Sequence, residues 1–263
     1  MDKEKIASSF SRSAERYDEF AAVQKRLAGE MVAGLPPLRA DRLKVLDIGS
    51  GTGEVAFLLA ERFRGASIKG CDIALGMVRK AINKNRFPNV NFEVADAESL
   101  PYADAEFDLV VSSTTLQWVD DLKKAYAEAS RVLKPGGYFA FVTFGPKTLS
   151  ELKRSYKTAF DAEADYLHVY KNMRELASLL RSTGFEVLRN NSDTTREFYP
   201  DFKTFFRSLK GLGALNASPR LPKGLRSRSK VQALIRSYET TNRIGKQVYA
   251  TYETIKVLCR KVG

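Results

Sequence analysis

Three glycines at alternate positions, Gly49, Gly51 and Gly53, follow the apolar run Leu43–Ile48 and precede the amphipathic stretch Val55–Phe63. That order of strand, turn and helix puts them at the carboxyl end of a strand, where open α/β sheets bind ligands. Glycine there permits positive φ and lets a ligand approach the backbone closely. Asp47 stands just before the turn and Ser50 inside it. The next apolar run ends at Cys71-Asp72-Ile73, one βαβ step later, where an acidic side chain can accept hydrogen bonds from ribose hydroxyls. A dinucleotide fingerprint starting at Gly49 would need a glycine where the chain has Glu54. The spacing therefore argues for a nucleoside-bearing ligand other than a dinucleotide.

These residues need elements to hold them. Strand-like runs cover Leu43–Ile48, Ala66–Cys71, Val90–Ala95, Phe107–Ser112 and Tyr138–Phe144, and helical patterns fill Val55–Phe63, Leu75–Asn85 and Leu122–Leu133. Strands alternating with helices predict right-handed βαβ units, hence a parallel sheet covered on both faces. Residues 2–34 carry apolar positions at helical spacing and predict an N-terminal helical extension ahead of Gly34, Pro36 and Pro37. Beyond Phe144, helices are expected at Thr148–Phe160 and Met173–Arg181, a strand at Phe185–Asn190 and a last strand at Tyr249–Lys261. Between the last two lies a basic, helix-prone insertion at about 201–246. The expected fold is an α/β, Rossmann-like sheet in one domain, with 1–37 as N-terminal helices, 38–145 as the cofactor-binding core and 146–263 as the substrate-side half.

The chain has 263 residues, 44% of them hydrophobic, enough for a substantial core and against a disordered tail protein. Its net charge of +12 is local: residues 201–263 hold 14 Lys and Arg against 3 Asp and Glu. A positive field confined to one end implies a polyanionic partner, such as nucleic acid, anionic lipid or an acidic protein. Cys71 and Cys259 lie far apart, each in a strand-like run, and read as buried free thiols of a reducing compartment. No secretory signal or membrane-length apolar run is visible, so a cytoplasmic location is expected. No metal site is expected either, and the single histidine, His168, falls outside every motif.

The Leu46-Asp-Ile-Gly-Ser-Gly-Thr-Gly53 stretch resembles the first motif of the class I S-adenosylmethionine-dependent methyltransferases. The resemblance implies that Asp47, Gly49, Ser50, Gly51 and Gly53 position the methionine part of S-adenosylmethionine. It also implies that Asp72 and Ile73 hold the ribose and that Asp96 and Ala97 contact the adenine. Ser113, Gln117 and Trp118, at the end of the fourth strand, would shape the pocket. The opening Ile6–Asp18, the pair Gln117-Trp118, the segment Phe206–Asn216 and the late Thr251-Tyr-Glu253 together resemble the malonyl-acyl carrier protein O-methyltransferases of biotin synthesis. That family implies methyl transfer to the free carboxylate of a malonyl thioester on phosphopantetheine, borne by an acidic acyl carrier protein or by coenzyme A. Such a carboxylate is already ionised at neutral pH, so no general base is expected. Tyr17, Arg207 and Lys210 are the candidates for positioning the substrate, Arg through a two-pronged hydrogen bond and Lys as a point charge.

Two other readings remain open on the sequence alone. The first 145 residues suit a methyltransferase of quinone precursors or other small molecules equally well. The basic end could instead track nucleic-acid phosphates, although it carries no recognisable reading motif.

Overall fold

The computed structural model describes residues 2–160, 169–217 and 228–263; His168 lies outside them. The chain opens with helices α1 (Lys3–Phe20) and α2 (Ala22–Ala33), then alternates β1 (Lys44–Ile48), α3 (Glu54–Arg62), β2 (Ser67–Asp72), α4 (Leu75–Lys84) and β3 (Val90–Val94). Next come β4 (Phe107–Ser113), α5 (Leu122–Val132), β5 (Leu133–Phe144), α6 (Ser150–Phe160), α7 (Met173–Ser182) and β6 (Phe185–Tyr199). Helices α8 (Phe202–Gly211), α9 (Ala214–Ala217) and α10 (Arg228–Thr241) precede the short β7 (Arg243–Ile244) and the long β8 (Gln247–Lys261).

The strands form one sheet in the order β3-β2-β1-β4-β5-β8-β6, with β7 folded back on β8. Neighbours from β3 through β5 are parallel, and β8 runs antiparallel between β5 and β6. Side chains alternate between the faces, as the two-residue period of a strand requires. Val248, Ala250 and Tyr252 join Ala140 and Val142 in one core under α2, α3, α6, α8 and α10. Ile255, Val257 and Cys259 join Phe139 and Phe141 in the other, under α5 and α7. Both cysteines are buried and free, and burial pushes both thiols above their ordinary range.

Two strand boundaries differ from those the sequence predicts, and the N-terminal helices break at a place it does not mark. The N-terminal pattern is two helices broken at Ala21, with no Gly or Pro at the break. The break lets α2 lay Val23, Leu27 and Met31 on the sheet while α1 turns its buried face, Ile6, Ser9 and Ala14, toward α4 and the α8–α9 segment. Strand β6 runs on to Tyr199, well past Asn190. Its second half is polar because it is the sheet edge, so local hydropathy understates it, while its partner β8 pairs with it as far as Tyr199↔Val248. Strand β5 starts at Leu133 instead of Tyr138, through a register shift opposite Phe107–Leu109.

Strand β6 ends and β8 begins at the carboxyl end of the parallel strands. The α8–α10 insertion therefore emerges at the ligand-binding end of the sheet. Phe202 and Phe205 anchor it by packing against the fully buried Tyr238, whose hydroxyl donates to Tyr249 O at 2.8 Å.

Candidate functional site

A cleft of about 1070 Å³, its open mouth included, lies across the carboxyl ends of β1, β2, β3 and β4 and beneath α1 and α2. It is at the upper end of ligand-pocket sizes. The floor is the β1–α3 turn. Gly49 adopts φ +72°, and a Cβ there would stand 2.0 Å from Thr115 Cγ2. Thr115 in turn donates its hydroxyl to Gly49 O at 3.0 Å, so the glycine lets the β4 loop close on the β1 turn. Ser50 and Gly51 line the cleft, Gly51 with φ +53° and open space around its Cα. Gly53 turns away, where a Cβ would strike Phe57.

Asp72 organises the middle of the cleft. Its Oδ2 accepts from Gly51 N at 2.9 Å and its Oδ1 from Ala74 N at 2.8 Å. Each oxygen keeps a lone pair for a ligand hydroxyl. Burial raises its pKa, and the two backbone N–H groups oppose that rise. Ile73 lines the wall beside it. Asp47 lies fully buried below the turn, and burial together with the nearby Asp72 charge pushes its pKa up to about 8. The Ala56 N–H opposes that rise, and Asp47 does not line the cleft. The buried hydroxyls of Ser50 and Ser113 do line it, and neither has a hydrogen-bond partner. Unsatisfied buried polar atoms cost about 1–3 kcal/mol each, so a polar ligand that meets them would stabilise the site. The ribose-type acceptors, the glycine floor and these orphan groups fit S-adenosylmethionine.

At the far end, Asp96 and Ala97 line the cleft beside Glu98. Lys3, from the first turn of α1, bridges Asp96 Oδ2 at 2.7 Å and Glu98 Oε2 at 2.8 Å. Glu98 also accepts from the backbone N–H groups of Asp120 and Asp121. Burial tends to raise the Asp96 pKa, but Lys3 and the Glu98 N–H outweigh it and the carboxyl is held low.

The roof is α1, and three further residues on it hold it down. Asp18 accepts from Thr52 Oγ1 and from Lys84 Nζ, both at 2.7 Å, and despite its burial these partners lower its pKa. Glu15 pairs with Lys80 at 2.7 Å, and Ser11 Oγ accepts from Gly76 N at 3.1 Å. On its other side α1 meets the α8–α9 segment, where Ser9 donates to Gly213 O at 3.0 Å and a Cβ on Gly211 would enter the Phe20 ring. Tyr17 hangs from α1 into the cleft. Burial, with Asp72 and Asp18 nearby, raises its pKa, so the phenol stays protonated at neutral pH.

A methyltransferase domain model matches residues 46–141. The full chain is 38% identical over 260 residues to a malonyl-acyl-carrier protein O-methyltransferase of Geobacter sulfurreducens, covering 97% of each. The chain belongs to the malonyl-acyl-carrier protein O-methyltransferase family. A relative from Methylococcus capsulatus with the same name is 34% identical, covering 99% of this chain and 94% of its own. Among solved structures, the Bacillus subtilis YcgJ protein superposes with a TM-score of 0.62 at 18% identity, covering 90% of this chain and 99% of that one. Phosphoethanolamine N-methyltransferase 2 of Haemonchus contortus, solved with S-adenosyl-L-methionine, gives 0.60 at 20% identity, covering 96% and 57%. Both show the same fold.

The structure separates some residues that the family resemblance groups together. Trp118 lines the cleft with its ring edge-on to Phe10 at 5.5 Å. Gln117 does not line it: its amide donates to Thr114 O at 2.6 Å and its Oε1 accepts from Thr143 Oγ1 at 3.1 Å. Residues 116–118 form a 3₁₀ turn, and Gln117 is held by Thr114 and Thr143 while Trp118 faces the cleft. Arg207 and Lys210 are exposed on the face of α8 opposite its buried Phe202, Phe205 and Leu209, and neither lines the cleft. Lys3, Asp18, Gln24, Lys25, Thr52 and Thr115 line it without having been singled out from sequence. Asp18 adjoins Tyr17 in the Arg-Tyr-Asp end of the opening block, and Thr52 stands between Gly51 and Gly53 of the glycine motif, the local signals available. Thr115 belongs to the loop after β4, and for Lys3, Gln24 and Lys25 only the folding of α1 and α2 over the sheet reveals the role. Among the described residues no group of side chains could hold a metal ion, and no helix is long and apolar enough to cross a membrane.

Proposed function

We propose that this protein transfers the methyl group of S-adenosylmethionine to the free carboxylate of a malonyl group on acyl carrier protein, forming the methyl ester used in biotin synthesis. The observation that carries the reading is a family relationship over 97% of the chain. It takes in the α8–α9 segment as well as the methyltransferase core, and structural likeness to other methyltransferases would support only the core.

When bound, the cofactor supplies an electrophilic methyl group on a sulfonium. The chain's part is to hold and to exclude. Asp72 receives ribose hydroxyls, and the wall formed by Asp96, Ala97 and Lys3 closes the adenine end. Asp47 is buried and largely protonated, so it adds little negative charge to repel an incoming carboxylate. The malonyl carboxylate needs no deprotonation, so the rate advantage comes from alignment and loss of water, which in favourable systems supplies about 7–11 kcal/mol. Tyr17, a neutral hydroxyl in the roof, offers the substrate a hydrogen bond without a competing charge. Arg207 and Lys210, exposed on α8, are suited to meeting an acidic carrier protein whose phosphopantetheine arm enters the cleft. Two buried free thiols accord with a cytoplasmic setting.

Mass spectrometry tests the assignment. Incubation with malonyl carrier protein and S-adenosylmethionine should add the mass of one methylene to the acyl group. Bound cofactor with no such gain would overturn it.

A further inference from the structure

Two cations line the cleft among the described residues, Lys3 and Lys25. Lys3 is committed to Asp96 and Glu98. Lys25, on α2, donates to Asp18 O at 3.2 Å and stands 3.9 Å from Asp18 Oδ1. The Asp18 carboxylate is already taken at 2.7 Å by Lys84 and by Thr52. An ammonium has three donors, so Lys25 keeps capacity directed at the cleft. Its neighbour Gln24 lines the same wall, and Gln24 Oε1 is buried with no hydrogen-bond partner. Through Asp18 and Thr52, this pair stands over the glycine turn, at the opposite end of the cleft from Asp96.

We propose that Lys25 and Gln24 form a clamp for the amino-acid end of the cofactor, Lys25 Nζ receiving its α-carboxylate and Gln24 Oε1 its α-ammonium. The inference rests on the cofactor being S-adenosylmethionine. An α-amino acid presents one anion and one cationic donor on the same carbon atom, and the wall presents one cation and one orphan acceptor on adjacent residues. Asp47 lies buried below the turn and does not line the cleft, nor do Arg207 and Lys210.

Calorimetry with two ligands separates the possibilities. S-adenosylhomocysteine carries the amino-acid group; methylthioadenosine keeps the adenosine and the sulfur but lacks it. Lys25→Met should weaken S-adenosylhomocysteine about tenfold or more, as loss of a charge-assisted hydrogen bond does, and leave methylthioadenosine unchanged. Lys25→Arg should restore most of the affinity, which also shows that the site folds without lysine. Gln24→Leu should show the same selectivity at smaller size. Equal weakening of both ligands by Lys25→Met would overturn the clamp. So would unchanged S-adenosylhomocysteine binding with a raised KM for malonyl carrier protein, which would place Lys25 on the substrate. Wild-type protein that binds neither ligand would remove the cofactor reading itself.

Discussion

Asp47 is a carboxyl group placed where it cannot easily be charged. With its pKa raised to about 8, against about 3.9 in an unfolded chain, the folded form keeps a proton that the unfolded form releases between those values. Folding stability therefore falls as pH rises through that window. In ligand-free protein, Asp47→Asn should flatten this decline. Melting temperatures of wild type and variant should diverge in the variant's favour from pH 5 to pH 8, and parallel curves would count against the buried-acid account. The motif made Asp47, Asp72 and Asp96 visible in the sequence because each sits at or near a strand end, where the strand pattern sets both position and direction. Gln24 and Lys25 left no such trace. In the sequence they are polar positions of an amphipathic helix, and only the break at Ala21 carries them over the glycine turn.

At the scale of elements, α1 is a roof whose fit depends on small residues beneath it. A Cβ on Gly76 would stand 2.5 Å from the backbone oxygen of Ser11, and backbone cannot step aside as a side-chain tip can. Gly76→Ala should therefore lift α1, cost about 1–3 kcal/mol of stability and weaken S-adenosylhomocysteine binding in calorimetry. At Gly211 the obstacle is the Phe20 ring, so Gly211→Ala should be partly rescued by Phe20→Ala, a coupling that a double-mutant cycle measures. These contacts give the Ser208–Asn216 segment a physical meaning that its sequence did not carry: its glycines let the insertion press against the back of the roof. The strands and helices of the first 145 residues were legible because each buries a face with a regular period. The edge half of β6 and the turn at Ala21 were not, since pairing with β8 and the docking of two separate faces decide them.

For the whole molecule, the charge map becomes a surface. The basic excess after residue 200 places Arg207 and Lys210 in solvent on α8, on an insertion whose α8–α9 segment packs against the roof of the cleft. Complementary charge raises the rate of encounter and is screened by salt. The KM for malonyl carrier protein should rise with ionic strength. Charge reversal, Arg207→Glu with Lys210→Glu, should raise it several-fold at low salt while leaving kcat and the KM for S-adenosylmethionine near wild type. A matching loss with malonyl-pantetheine, which has no protein to dock, would move these residues from docking into the chemistry.

Strand β8 fills the place between β5 and β6, yet the ribosome makes it after both. Until it emerges, β6 has no strand to pair with, and the α8–α9 segment that backs α1 hangs from an unfinished edge. A nascent chain can thus complete its parallel half early and still lack a closed roof. Enzyme interrupted before β8 should remain open to proteases at α1, however well formed its glycine turn.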